Sequence, residues 1–134
     1  MSIVFKETKE FSAQELQNLF LSVDWSSGHY PEKLIVAMKN SSSVFTAWDG
    51  NQLIGLLNVL DDGIMTAYIH YLLINPIYQH QGIGKELVKR MKDKYMDYLR
   101  IILIAYDKEI RFYKNSGFEV GEEKTPMFIT SLWT

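Results

Sequence analysis

The chain has 134 residues, no cysteine, a formal net charge of −2 and a sequence pI of about 5.9. At 47% hydrophobic and 22% charged residues it can bury a core as one domain, read over 1–134, with no structural metal. These figures exclude a disulfide scaffold, a thiol nucleophile and cysteine-ligated metal, and the mild acidity argues against nucleic acid as the main partner.

No apolar run reaches the length of a membrane span, and Met1–Glu7 lacks the basic-then-apolar order of a signal peptide. A cytoplasmic location and no membrane partner are therefore expected. Residues 2–7 have the composition of a first strand. Ser12 and Glu15 form an S-x-x-E capping box, and Leu16, Leu19, Phe20 and Val23 follow at helical spacing. Residues 24–30 show no period and are expected as a loop. Pro31 suits the first position of a second helix, with Leu34, Ile35 and Met38 as its inward stripe.

Val44–Trp48 and Leu53–Leu60 flank Asp49-Gly50-Asn51, which predicts a hairpin. Asp61-Asp62-Gly63 marks another turn, and Met65–Ile74 reads as the next strand. Pro76 closes that strand region. A helix is expected from about Gly82 to Tyr98, because Leu87, Met91, Tyr95 and Leu99 recur every four residues. Ile101–Ala105 is an unbroken apolar run, which predicts a strand covered on both faces. A short helix over 108–115 ends at Gly117, and two short strands near 118–122 and 127–132 are expected after it. The order β-α-α-β-β-β-α-β-α-β-β describes an α/β (α+β) fold with a mixed sheet. The unit from Tyr68 to Ala105 predicts two parallel strands joined by a crossover helix, with a crevice at their carboxyl ends.

The most informative segment is Ile74-Asn75-Pro76-Ile77-Tyr78-Gln79-His80-Gln81-Gly82-Ile83-Gly84-Lys85. A helix opens at its end, so its first amides lack internal partners and, with the helix dipole, form an anion site. Gly82 and Gly84 allow close approach of a phosphate, Gln79 and Gln81 add neutral donors, and Lys85 adds a charge. There is no G-x-x-x-x-G-K-[ST], and Leu87 stands where a dinucleotide fingerprint needs a third glycine. A tight strand-to-helix turn explains the G-x-G alone equally well.

A second segment, Asp107-Lys108-Glu109-Ile110-Arg111-Phe112-Tyr113-Lys114-Asn115-Ser116-Gly117-Phe118, follows the apolar run. Gln79-x-x-Gly82-x-Gly84 and Phe112-Tyr113-x-x-x-Gly117-Phe118, about thirty residues apart, resemble the GCN5-related N-acetyltransferase (GNAT) family. The resemblance covers nearly the whole chain, is specific as a pair of motifs, and lies nearest the short bacterial and plastid members. It implies the acyl-CoA N-acyltransferase fold, with six or seven strands and about four helices. It also implies acetyl-CoA as co-substrate, no metal, and pyrophosphate held by Gln79, His80, Gln81, Gly82, Ile83, Gly84 and Lys85. Leu72, Leu73 and Ile74 would offer a backbone donor to the oxyanion formed when an amine attacks the thioester. Tyr113 would protonate the leaving thiolate, with Phe112 beside it. Many members carry an asparagine seven residues before that tyrosine; this chain has Tyr106 there, and Asp107 next to it is the substitute. Its grip on pyrophosphate rests more on amides than on arginine, since His80-Gln81 stands where basic residues are common.

The amine must lose a proton before attack. His70 is the first choice as base, being on the strand that leads to the site, and Asp61 and Asp62 are alternatives that a turn explains equally well. Trp25, His29, Tyr30, Tyr68 and Tyr71 are candidates for an acceptor pocket. The expected acceptor is a small-molecule amine, an aralkylamine or a polyamine. The alternatives are a non-catalytic acyl-CoA-binding sensor and acetylation of protein or peptide amines. The apolar stretch Met127 to Trp133 is a candidate for pairing across a homodimer.

Overall fold

A computed structural model describes residues 2–134. The chain runs β1 (Ile3–Glu7), α1 (Ala13–Ser22), α2 (Pro31–Asn40), β2 (Ser43–Asp49), β3 (Gln52–Asp61), β4 (Thr66–Ile74), α3 (Ile83–Lys94), β5 (Arg100–Leu103) and α4 (Ile110–Asn115), with short 3-10 turns between. The five strands lie in sequence order; β1 to β4 pair antiparallel, and β4 and β5 pair parallel across the α3 crossover. No helix among the described residues is long and apolar enough to cross a membrane.

Local chemistry explains the helices. Ser12 Oγ accepts from the Glu15 amide at 3.1 Å and Glu15 Oε1 accepts from the Ser12 amide at 2.8 Å, so the capping box starts α1. Pro31 opens α2, where its missing N–H costs nothing. Leu16, Leu19 and Phe20 of α1 join Leu34 and Met38 of α2 against Trp48, Leu56 and Leu73. On the other sheet face, Leu87, Val88 and Met91 of α3 pack on Phe45, Leu57, Val59 and Ile69. Fully burying such a side chain contributes about 1.5–3 kcal/mol.

Of the two register shifts in the sheet, one at Ala47/Trp48 and one at Leu57/Val59, the second shapes the rest. Leu57 pairs with Leu72 but Val59 pairs with Ile69, so His70 and Tyr71 together oppose Asn58. This β-bulge adds one residue to β4 and reverses its alternation. Ile69, Leu72 and Ile74 therefore all face α3, while Tyr71 and Leu73 face α1. Asn58 is buried and holds the bulge: its Oδ1 accepts from the Tyr71 amide at 2.8 Å and its Nδ2 donates to Ser41 Oγ at 3.1 Å. Ser41 Oγ in turn donates to the Ala37 carbonyl of α2 at 2.8 Å. Beyond the bulge β4 parts from β5: their pairing covers only Thr66–Ile69 against Arg100–Leu103, although β4 continues to Ile74.

Three expectations need correction. The sheet has five strands, not six or seven, because 118–122 and 127–132 form no ladder within the chain. Strand-forming residues adopt a strand only where an edge is there to pair with them. The apolar run after α3 is covered on one face only: Ile101 and Leu103 pack on the α3 side, while Ile102 and Ile104 are exposed. The helix over 82–98 stops at Lys94. Tyr95 caps it and turns inward, where its hydroxyl bonds Ser43 Oγ and Asp61 Oδ2, each at 2.7 Å. Leu99, expected on the inner stripe, is exposed.

Replacing Asn58 by Leu leaves the part-buried Tyr71 amide without its acceptor, a loss of about 1–3 kcal/mol. Urea denaturation of Asn58→Leu against the parent chain measures it.

Candidate active site

Where β4 and β5 part, a cleft of about 1000 Å³ opens between the end of β4, the segment after β5, α4 and the start of α3. The one other sizeable concavity described, about 590 Å³, lies at the α1 N-terminus, where Ser12 and Glu15 already bond each other.

One side of the cleft is the glycine loop. Gly82 takes a φ of 79° as the N-cap of α3, and a Cβ placed on it meets nothing within 4 Å. A side chain there would be strained by the left-handed backbone, yet the space in front of it is open. The first α3 amide with a carbonyl four residues back is that of Glu86, on Gly82 at 3.0 Å. The amides of Ile83, Gly84 and Lys85 precede it and are left for another partner. These features fit a phosphate group. Gly84 carries a packing constraint as well: a Cβ there would stand 3.3 Å from Phe112 Cζ, so its bare backbone lets Phe112 close over the helix. Gln79 Nε2 points back to the Ile74 carbonyl at 3.4 Å.

At the apex of the parting stands His70, one residue past the last β4–β5 pair. Its ring stacks on Tyr71 with centroids 4.0 Å apart and on Tyr68 at 5.8 Å, and the residue as a whole is exposed. Partial desolvation of the ring lowers its pKa below the ordinary 6.5 and favours the neutral imidazole. Tyr113, on α4, packs edge-on against Phe112 and Phe118. Burial, reinforced by the nearby Glu109 carboxylate, pushes its phenol up to about 12. That is above the value near 10 expected of a free phenol, so Tyr113 keeps its proton across the physiological range.

The third wall is aromatic. Trp25, just after α1, reaches Tyr71 and Tyr106, with ring centroids at 6.0 and 6.3 Å. Asp24 and His80, both bordering the cleft, hold φ values of 58° and 65°. Each left-handed residue costs about 1–2 kcal/mol.

Of the residues singled out in the sequence, the cleft brings together His70, Leu72, Leu73, Ile74, Gln79, His80, Gly82, Ile83, Gly84, Lys85, Phe112 and Tyr113. Gln81 and Asp107 do not line it, and Tyr106 does. Of the proposed acceptor aromatics, Trp25 lines the cleft and Tyr71 backs it, while His29 and Tyr30 lie outside. Asp61 and Asp62 sit at the opposite end of β4. Asp61 bonds Tyr95 and the Gly63 amide, and Asp62 accepts from the amides of Ile64, Met65 and Thr66, which hold its carboxyl below the usual range. Both are turn residues. Sequence reasoning missed Asn58, Asp24 and Tyr106. Asn58 is a polar residue within an apolar strand, Leu53–Leu60, and that was its only signal.

Comparison with known proteins agrees with this architecture. A family model for an acetyltransferase (GNAT) domain matches residues 7–127, and the chain belongs to that family. It is 31% identical over 134 aligned residues to the soybean (Glycine max) "Histone acetyltransferase TAP1", covering 90% of this chain and 58% of that protein. It is 30% identical over 125 residues to the "Uncharacterized N-acetyltransferase ycf52-like" of Prochlorococcus marinus, covering 87% of this chain and 68% of that one. The chain thus spans little more than half the length of the soybean relative. Among solved structures, the GNAT family protein SP0256 of Streptococcus pneumoniae superposes with a TM-score of 0.83 at 26% identity, covering 97% of this chain and 98% of that one.

Two outcomes are expected. Gly82→Ala puts a methyl on a left-handed backbone and lowers stability by about 1–2 kcal/mol, read by denaturation, while weakening coenzyme A binding in calorimetry. The second concerns His70. Its folded pKa lies below its unfolded value, so the unfolded chain binds more protons and stability rises with pH across that window. The contribution is complete above 6.5 and is lost as pH drops towards the folded-state pKa. His70→Gln removes this slope, measured by urea midpoints across that window.

Proposed function

We propose that this chain transfers an acetyl group from acetyl-CoA to the primary amine of a small molecule, an aralkylamine or a polyamine, in the cytoplasm. The observation that carries the reading is one continuous cleft. It joins unpartnered amides at an open helix start to a neutral imidazole and a protonated phenol. Bound acetyl-CoA supplies the activated acetyl thioester.

The chain's own residues divide the work. The amides of Ile83, Gly84 and Lys85 hold the diphosphate, with Gln79, His80 and the Lys85 ammonium around it. No part in this is given to Gln81 or Asp107. The free edge of β4 over Leu72–Ile74 turns a backbone N–H towards the cleft for the oxygen that gains charge. One such donor is worth about 3–4 kcal/mol in acyl transfer. His70 accepts the proton of the incoming ammonium, directly or through one water, because enclosure keeps the ring uncharged. Tyr113 holds a proton for the sulphur that departs. Since the phenol sits near 12, it acts first as a hydrogen-bond donor and gives up its proton only as negative charge builds on the sulphur.

The second reading, acetylation of peptide or protein amines, is favoured by the name of the soybean relative. An acetyl-CoA turnover assay against aromatic amines, polyamines, amino acids and peptides separates the two. Turnover on small amines alone supports the first, and turnover confined to peptides replaces it with the second. Tyr113→Phe is expected to lower kcat by about 10²-fold while leaving the Kd for coenzyme A within a few-fold. Tight acetyl-CoA binding with no turnover on any amine would make the chain a sensor module instead.

A further inference from the structure

We propose that Ser27 is a positioning residue for His70, acting through the Tyr71 ring, and that Thr134 fixes Ser27 for that task from 107 residues away. The proposal rests on the reading of His70 as the base of the proposed reaction.

Ser26–His29 form a 3-10 turn directly after Trp25, and Thr134 docks on it. The main-chain oxygen of Thr134 accepts from the Ser27 amide, from Ser27 Oγ and from Ser26 Oγ, each at 2.8 Å. Its Oγ1 accepts from the Ser26 amide at 2.9 Å and lies 2.9 Å from Ser26 Oγ. Ser26 has already given its hydroxyl proton to the main-chain oxygen, so the Thr134 hydroxyl donates in that last contact. Ser27 is 2% exposed, so its hydroxyl has no water to turn to. It too has one proton, and Thr134 takes it. The 2.8 Å contact between Ser27 Oγ and Tyr71 Oη then runs one way only, with the phenol donating.

Tyr71 is thereby held at three points. Its amide is on Asn58, its ring stands edge-on to Phe20 with centroids 4.9 Å apart, and its hydroxyl is on Ser27. His70 is held by stacking on that ring, at 4.0 Å and 25° between planes. Desolvation is what lowers the His70 pKa, and Tyr71 is the nearest ring that keeps water from it. Other titratable groups surround the imidazole. Tyr68 is on its own strand, Asp24 follows α1, and His80 and Lys85 border the glycine loop. Tyr106, Lys108, Glu109 and Tyr113 come from the segment around α4. None of their charges contributes to the lowering. Without the Ser27 hydroxyl, Tyr71 Oη loses its acceptor and turns to water, and the ring leaves the face of the imidazole. The base then loses both its orientation and its cover.

The test follows the imidazole C2 proton of His70 by NMR as pH is varied, the signal being assigned by its loss in His70→Gln. In Ser27→Ala the pKa is expected to rise to about 6.5. A chain shortened to end at Trp133 is expected to move it in the same direction. Tyr71→Phe keeps the ring but lacks the bond, so adding Ser27→Ala to it is expected to move the pKa no further. On an amine that the parent chain acetylates, Ser27→Ala is expected to lower kcat/KM by about 10-fold and to displace the acidic limb of its pH profile upward. The KM for acetyl-CoA stays within about two-fold. An unmoved His70 pKa in Ser27→Ala with native far-UV circular dichroism overturns the proposal. So do additive effects of Ser27→Ala and Tyr71→Phe, or a rate loss equal at every pH, which marks a merely structural role. Should Ser27→Ala fail to fold, Tyr71→Phe reads the same bond. A moved pKa in a chain that acetylates no amine upholds the link from Ser27 to His70 and overturns the reading of His70 as a base.

Discussion

A single hydrogen bond, from the Tyr71 amide to the Asn58 side chain, keeps two residues of β4 opposite one of β3. Without that acceptor the part-buried amide would force the ladder back into register. The free end of β4 would then turn its faces over, and Leu72, Ile74 and Leu73 would exchange sides of the sheet. The bond to Ser41, and from Ser41 to α2, ties the device to the helical layer. The cleft is thus a consequence of how the sheet is broken. Parting the two parallel strands creates the volume, exposes a backbone edge, and leaves His70 at the apex.

The electrostatics of the cleft follow from the same geometry. Its two titratable groups of interest are perturbed chiefly by enclosure, and in both cases the neutral form gains. A neutral imidazole can accept a proton and a neutral phenol can give one, which is what the proposed reaction asks of the pair. Opposite them, charge is answered by backbone dipoles at the α3 start, which need no desolvated cation. That is the physical content of a loop with two glycines, two glutamines, a histidine and one lysine.

The glycines also show how one motif serves two ends. Gly82 is needed for its backbone angle and for the open space in front of it, whereas Gly84 is needed for the ring of Phe112. The second motif, Phe112-Tyr113, is therefore packed onto the first across the cleft, which is why the two at that separation form one site. Next to Asp107, Tyr106 faces Trp25 and the cleft.

Short-range signals in the chain were enough for the capping box, the Pro31 helix start, the hairpin around Gly50, the glycine loop and the order of the elements as far as α4. Each depends on residues within about one turn of helix or one tight turn, where sterics and backbone hydrogen bonding leave few options. The bulge at Asn58, the stop of α3 at Tyr95, the one-sided cover of β5 and the unpaired state of 118–134 depend on partners far along the chain. A strand's faces and its pairing exist only once a neighbour is beside it, and no local pattern says which neighbour, or whose, that will be.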